Sequence, residues 1–455
     1  MKAMDLSQIA RASEGRLTGG QGERTIVTSV STDTRQLRAG SLFVALRGER
    51  FDGHKFLDEA MARGAVAAMV AAGDFARPQG LWLVEVNETR KAMGRLARHV
   101  RRELGATVIG VAGSNGKTGT KNLIDSALRK GRRGTISPKS FNNDIGVPVT
   151  IFGASQTDDY LVLEMGTNHP GEIEALTRIA WPDIAVITVC AAEHLEFLGD
   201  LDGVRRENAA VVRGLSDDGW LVVNGDDAEL LKAVGDWPRG RTITFGLQAT
   251  NDLFAADIAC SIDGVRFKLN GQAQVSLPLL GKHQAVNSLA AIAVARRLGL
   301  SDEQIISSLA SATGPEMRLE LQRINGIQVL NDAYNANPSS MRAALDTLTC
   351  LPGRRRIAVL GDMKELGDAS GKFHEEVGAM AAEARVDALV CVGAFAQVLA
   401  DSAQRAGLRS PIHVYPNTLA AAGGVGALLE DGDLVLIKGS RAMKMEAIAH
   451  ALLAH

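Results

Sequence analysis

Long apolar runs are missing from this chain. No stretch approaches the ~20 uninterrupted apolar residues that a membrane-spanning helix requires. Its start, Met1-Lys2-Ala3-Met4-Asp5, lacks the apolar core of a secretory leader, so export is not predicted and a cytoplasmic location is expected. Cysteine is scarce. The four present, at 190, 260, 350 and 391, stand far apart, which excludes a CxxC metal or redox pair and fits a reduced compartment. Each has apolar neighbours and reads as a small buried hydrophobe. An excess of one charge is lacking too. Lys and Arg number 50 against 52 Asp and Glu, a net charge of −2, so there is no basic field for nucleic acid. No solenoid-type repeat or low-complexity tract occurs. What is present is apolar material, 46% of 455 residues, enough for two to four packed domains at about 100–200 residues each.

The most informative stretch is Ala112-Gly113-Ser114-Asn115-Gly116-Lys117-Thr118. The apolar run Thr107–Ala112 leads into it and reads as a buried strand. A helical pattern follows, with Leu123, Ile124, Ala127 and Leu128 on one face. Strand, glycine turn, Lys-Thr and helix form a phosphate-binding architecture. Glycines let backbone N–H groups turn toward an anion, and the helix start adds unpaired donors and a positive dipole end. Lys117 is then placed for the terminal phosphates and Thr118 for Mg²⁺. Strict Walker spacing requires Gly at 111, where this chain has Val111, so the loop is a shorter variant built on Gly113 and Gly116. A tight glycine turn carrying a solvated lysine is the plainer reading.

The pattern divides the chain into three units: 1–86, 87–313 and 314–455. The first mixes short strands, Ser41–Leu46 and Leu81–Val84, with a helix near Lys55–Arg63, and a helix over Thr89–Leu104 links it onward. The second alternates apolar runs, Leu161–Glu164 and Ile184–Val189, with helices near Glu172–Ala180 and Asp202–Arg213. This predicts an α/β, doubly wound sheet covered on both faces. Residues 241–280 read as a small antiparallel extension, and a helix over Gln284–Leu298 closes the unit. Ala312-Thr313-Gly314-Pro315 reads as a linker. Strands at Ile327–Leu330, Ile357–Leu360, Ala388–Val392, Ile412–Tyr415 and Leu434–Lys438, separated by helices, make the third unit Rossmann-like in order, though without a GxGxxG fingerprint.

Candidate chemistry gathers at strand ends. Glu164 closes an apolar strand, at the edge where open α/β sheets bind ligands, and is placed to hold Mg²⁺. His194, past the next strand, is a candidate for the same metal site. Asn287, in the first turns of its helix, carries an amide suited to a purine edge. The polar cluster Asn331–Pro338 holds Asp332 and Tyr334. Turn chemistry explains its Asn and Pro but not those two residues. Arg318, just past the linker, is able to clamp phosphates from the third unit; a surface salt bridge is the alternative.

Together these residues resemble the Mur ligases of peptidoglycan synthesis, over essentially the whole chain. Ser31-Thr32-Asp33-Thr34-Arg35, Leu42–Gly48 and Asp52-Gly53-His54 are similar to that family's UDP-binding N-terminal domain. Phe141–Pro148, Glu164–Ile173, Asp332–Pro338 and Lys438-Gly439-Ser440-Arg441 are similar to its central and C-terminal signatures. The closest branch joins D-alanyl-D-alanine to UDP-N-acetylmuramoyl-tripeptide. The resemblance implies an ATP- and Mg²⁺-dependent ligase with three domains: UDP-substrate-binding, ATP-binding and Rossmann-like.

It also implies roles. Gly113, Ser114, Asn115, Gly116, Lys117 and Thr118 cradle ATP. Thr118 and Glu164 hold one Mg²⁺ and His194 a second, while Asn287 contacts adenine. Arg318, Asp332 and Tyr334 close on the nucleotide, with Lys117, His194 and Arg318 catalytic. Ser31, Asp33, Arg35, Asn142, Asn143 and His169 face the UDP-peptide substrate. A monomer is expected, with no nucleic-acid partner and no membrane insertion.

One departure stands out. Many Mur ligases carry, after the His194 segment, a lysine whose carbamate helps to hold Mg²⁺. Here Asn208 falls at that place and brings no charge; Glu193, Glu196 and Glu207 are the residues able to compensate. The rival readings are a ligase of the same superfamily that adds a single amino acid or extends folate with glutamate, a nucleotide-driven switch or transport ATPase, and a catalytically silent paralogue.

Overall fold

The apolar runs become strands because both faces of their sheet are covered. In the strand Thr107–Ala112, Val108 and Ala112 enter one core, and Ile109 and Val111 enter the core on the opposite face. In the strand Tyr160–Glu164, Leu161 and Leu163 alternate with Tyr160 and Val162 in the same way. Each such side chain taken fully from water contributes about 1.5–3 kcal/mol. The computed structural model describes residues 1–19, 25–49, 51–73 and 75–453.

Three large sheets organise those residues. The N-terminal one has five strands in the spatial order Arg16–Thr18, Trp82–Val86, Ala65–Ala71, Ser41–Val44, Ser29–Ser31, parallel except for the first pair. The central sheet has nine strands. Its parallel part runs Gly134–Ile136, Tyr160–Glu164, Thr107–Ala112, Ile184–Ile187, Trp220–Asn224, Thr242–Gly246, Leu253–Ser261. Gly264–Leu269 and Ala273–Leu277 extend it antiparallel. The third sheet has six strands: Glu320–Ile324, Ile327–Asp332, Leu434–Lys438, Arg356–Gly361, Ala388–Val392, Ile412–Tyr415. All are parallel but the first pair.

In the central sheet the chain leaves Thr107–Ala112 first to one side and then, from Tyr160–Glu164, crosses to Ile184–Ile187 on the other. That reversal opens a crevice past the strands' carboxyl ends, where α/β sheets bind ligands. The phosphate loop, Glu164 and the segment after Ile187 all emerge there. The helix Thr89–Arg102 joins the N-terminal unit to the central one. Its Arg101 is clamped by Asp183, 2.7 Å away, and donates to the Ala180 carbonyl at 3.1 Å.

Some elements are shorter than their sequence patterns predict. The expected helix over Asp202–Arg213 is α-helical only over Leu201–Ala209 and tightens to 3-10 over Ala210–Gly214. The one near Lys55–Arg63 begins as a 3-10 turn, Gly53–Phe56, and becomes α over Leu57–Ala62. The Asp52 carboxylate accepts from the His54 N–H and fixes that tight start. The strand expected to run through Leu46 ends at Val44, because the Leu46 N–H turns back to the Val44 carbonyl.

Candidate active site

The phosphate loop connects Thr107–Ala112 to the helix Lys117–Leu128. Gly113 has φ +125°, and a Cβ there would lie 2.0 Å from Thr188 Oγ1. Gly116 has φ +89°, and a Cβ there would lie 2.5 Å from Asn287 Oδ1. Only glycine meets both constraints at either position. Asn287, buried on the helix His283–Arg297, thus packs directly on the loop. Lys117 arches over the loop and donates to the carbonyls of Gly113 and Ser114, with Glu193 Oε1 3.9 Å from its ammonium.

Asn208 does not enter this site as the sequence reading anticipated. It is fully buried beneath the loop: its Oδ1 accepts the Gly113 N–H at 2.7 Å, and its Nδ2 donates to the Val204 carbonyl at 2.9 Å. Two of the suggested compensating acids also stay out of the cavity wall. Glu207 accepts from the N–H groups of Gly171 and Ile173, tying down the start of the helix Glu172–Ala180. Glu196 is exposed. Glu193 alone of the three faces the cavity.

Glu164 is buried at the end of its strand. Its Oε1 accepts from Asn142 Nδ2 at 3.1 Å, and its Oε2 lies 3.2 Å from Lys121 Nζ. Lys121 is a site residue that the sequence reading missed. Burial pushes its pKa down, and the Glu164 carboxylate opposes that shift. The available signal was a lysine one turn after Lys117, on the face that carries Ile124 and Leu128.

The third unit supplies the facing wall. Arg318 Nη2 donates to Thr118 Oγ1 at 3.3 Å, and its guanidinium lies over the Tyr334 ring, 4.1 Å from the centroid. Met317 and Leu319 on either side take φ +54° and +51°. Left-handed non-glycine residues cost about 1–2 kcal/mol each, so a side chain flanked by two of them is held by its surroundings. Asp332 contributes to that hold: its Oδ1 accepts the Leu319 N–H at 3.2 Å, and its Oδ2 accepts from the buried Lys438 at 2.6 Å. Asn337, which starts the helix Pro338–Cys350, exchanges amide hydrogen bonds of 2.9 and 3.1 Å with Asn115. His194 Nδ1 lies 2.5 Å from Glu365 Oε2, off the direction of a hydrogen bond.

These groups surround one cavity of about 1060 Å³ between the central and third units, at the upper end of ligand-pocket sizes, roughly 300–1,000 Å³. Its walls include Ser114, Asn115, Gly116, Lys117, Thr118, Asn142, Asn143, Glu164, His194, Asn287, Arg318, Asp332 and Tyr334. Gly113 lies behind the wall, held by Asn208. Asn143 Oδ1 also accepts the N–H groups of Ile145 and Gly146, in the turn that leads into the helix Gly146–Gly153. His169 is not part of that wall and packs against Phe197, the rings tilted by 41° with centroids 4.3 Å apart. Ser31, Asp33 and Arg35 are likewise outside it, on the N-terminal unit. There Asp33 caps the turn Thr34–Gln36 and pairs with Arg35 at 2.8 Å.

A nucleotide-sized cavity closed by an arginine from the third unit has close counterparts. The Mur ligase middle-domain model matches residues 111–295, the Mur ligase glutamate ligase domain 317–441, and the Mur ligase family catalytic domain 26–101. The chain belongs to the Mur ligase family. It is 36% identical to the UDP-N-acetylmuramoyl-tripeptide–D-alanyl-D-alanine ligase of Bacillus subtilis, over 98% of each chain. Its structure is similar to that of MurF from Acinetobacter baumannii, with a TM-score of 0.90, 30% identity and all of both chains covered. It also resembles MurF from Thermotoga maritima, solved in complex with ADP. That TM-score is 0.82, with 28% identity over 94% of this chain and 97% of that one.

Proposed function

We propose that this protein is the ATP-dependent ligase that joins D-alanyl-D-alanine to UDP-N-acetylmuramoyl-tripeptide in peptidoglycan precursor synthesis, working in the cytoplasm. The observation that carries the reading is the meeting of Thr118 and Arg318 across the cavity, in a chain that matches ligases of that name from end to end. No described helix is long and apolar enough to cross a membrane. Residues 1–86, 87–313 and 314–455 are assigned to UDP-substrate binding, ATP binding and closure over the nucleotide.

The tripeptide's terminal carboxylate is a poor electrophile. Its oxygen attacks the γ-phosphorus of ATP, the bond to ADP breaks, and an acyl phosphate forms. The neutral amine of D-alanyl-D-alanine then attacks the carbonyl carbon. Phosphate leaves, and the amine gives up a proton. Such transfers depend on positioning and charge neutralisation. Lys117 and the loop N–H groups hold the phosphates, and Arg318, braced on Tyr334, covers them from the third unit. Asp332 and Lys438 fix the segment that carries Arg318. Asn287 borders the phosphate loop and the base beyond it, and Ser31, Asp33 and Arg35 take the UDP end.

The donor set suits Mg²⁺. Thr118 and Glu164 offer hard oxygens of the kind that cation prefers alongside phosphate, and His194 a nitrogen nearby. When bound, Mg²⁺ would supply charge neutralisation on the phosphates. The test is mass spectrometry of the product formed from ATP, D-alanyl-D-alanine and a panel of UDP-muramoyl peptides. Addition of the dipeptide to a tripeptide substrate is expected. Addition of single amino acids, or ATP hydrolysis without product, would refute the reading.

A further inference from the structure

Lys121 has no part in the reaction just described, yet it is among the most buried charged groups in the chain. Its side chain is 1% exposed, as is that of Glu164. Its ammonium donates to the Ser137 carbonyl at 2.8 Å and to the Lys139 carbonyl, and lies 3.2 Å from Glu164 Oε2. An ammonium has three donors, so all three are spent. Three segments meet on this one group: the helix after the phosphate loop, the 137–142 loop and the end of the strand Tyr160–Glu164. The other Glu164 oxygen is held by Asn142, and the Glu164 N–H by Ser137 Oγ at 3.0 Å. The carboxylate therefore cannot turn.

The same contact sets the charge of the corner. Glu164 is neutralised by Lys121, Glu193 on the same cavity wall faces Lys117 at 3.9 Å, and Arg318 adds a further positive charge. The protein thus presents no net negative charge to a dication there. Mg²⁺ gives up its waters reluctantly and is usually bound through one or two carboxylates together with substrate phosphates, not by an all-protein cage. We propose that Lys121 is a resident counter-ion for Glu164. It fixes the carboxylate in its cavity-facing position and makes divalent-cation binding conditional on the nucleotide, so that metal enters as the nucleotide chelate and not alone. This rests on the reading that Glu164 is a metal ligand.

The experiment uses Mn²⁺ as the probe on the full-length protein, with free Mn²⁺ read by electron paramagnetic resonance, with and without ADP. The wild type is expected to bind Mn²⁺ at this site at least 100-fold more tightly with ADP than without it. Lys121→Met removes the counter-ion and is expected to tighten nucleotide-free Mn²⁺ binding at least tenfold. Lys121→Arg keeps the charge and is expected to leave it weak. The double variant Lys121→Met with Glu164→Gln is expected to lose the gain. Nucleotide-free Mn²⁺ binding by the wild type within threefold of that with ADP would overturn the proposal. So would a folded Lys121→Met or Lys121→Gln variant with wild-type Mn²⁺ affinity. If Lys121→Met does not fold, Lys121→Gln and the wild-type comparison decide. Glu164→Gln alone separates the two layers: undiminished Mn²⁺ binding with ADP in that variant would remove Glu164 as a ligand.

Discussion

Asn208 Oδ1 accepts the Gly113 N–H at 2.7 Å, with Asn208 fully buried. An amide below the loop thus sets the entry of the chain into its phosphate-binding turn. Removing one partner of a buried hydrogen bond costs about 1–3 kcal/mol. Asn208→Ala should therefore weaken ATP binding and lower the unfolding midpoint. Neither extra Mg²⁺ nor bicarbonate should restore activity, because Asn208 does not face the cavity. Rescue by either, measured in a steady-state assay at fixed pH, would contradict the placement.

Lys117 is expected to act on charge that develops in the transition state. Lys117→Ala should lower kcat by about 10²-fold or more, by analogy with the loss of one preorganised donor. Initial-rate kinetics with saturating ATP check this, and near-normal turnover would remove the lysine from the mechanism.

Arg318 both bonds to Thr118 and stacks on Tyr334, which lysine cannot reproduce because its ammonium is neither planar nor forked. Arg318→Lys should therefore resemble Arg318→Ala, each losing about 10²-fold in kcat/KM for ATP. A lysine variant with most of the wild-type activity would show that charge alone suffices.

Arg35 is 80% exposed and outside the cavity wall. Arg35→Ala should weaken binding of the UDP-peptide while ATP affinity stays within twofold, as read by calorimetry. The reverse pattern would overturn the assignment of the N-terminal unit.

His283 gives a pH signature. It is half-buried on the cavity wall, and loss of solvent around the ring lowers its pKa from 6.5 to about 4, with Asp332 raising it and Lys438 lowering it. Above pH 6.5 the ring is neutral in both folded and unfolded chains, so its effect on stability is constant. Between 6.5 and 4 the unfolded chain takes up a proton that the folded one refuses, and stability falls as pH falls. At about 1.36 kcal/mol per pKa unit, the loss is on the order of 3 kcal/mol at most. Denaturant titrations at pH 7 and pH 4.5 should show a smaller acid loss in His283→Leu than in the wild type. Equal losses would place the acid sensitivity elsewhere.

The fold was legible where burial writes a period into the sequence. Strands such as Ala388–Val392 and Leu434–Lys438 stand where their apolar runs predict, because both faces of the sheet are covered. The phosphate loop was legible because its glycines, lysine and flanking elements are contiguous. Contacts between distant segments were not. Asn208 and Gly113 are 95 residues apart, and nothing local marks the amide as a loop support rather than a metal neighbour. Glu365 beside His194 and Asn337 beside Asn115 exist only once two sheets face each other. Lys121 was missed although its signal is local, since a lysine on the apolar face of a helix asks for a buried partner.

The most direct test follows oxygen. UDP-N-acetylmuramoyl-tripeptide with ¹⁸O in its terminal carboxylate is ligated to D-alanyl-D-alanine, and the released phosphate is weighed by mass spectrometry. An acyl phosphate predicts one ¹⁸O in each phosphate, released only when both substrates are present. Unlabelled phosphate, or release that needs neither substrate, would contradict the account.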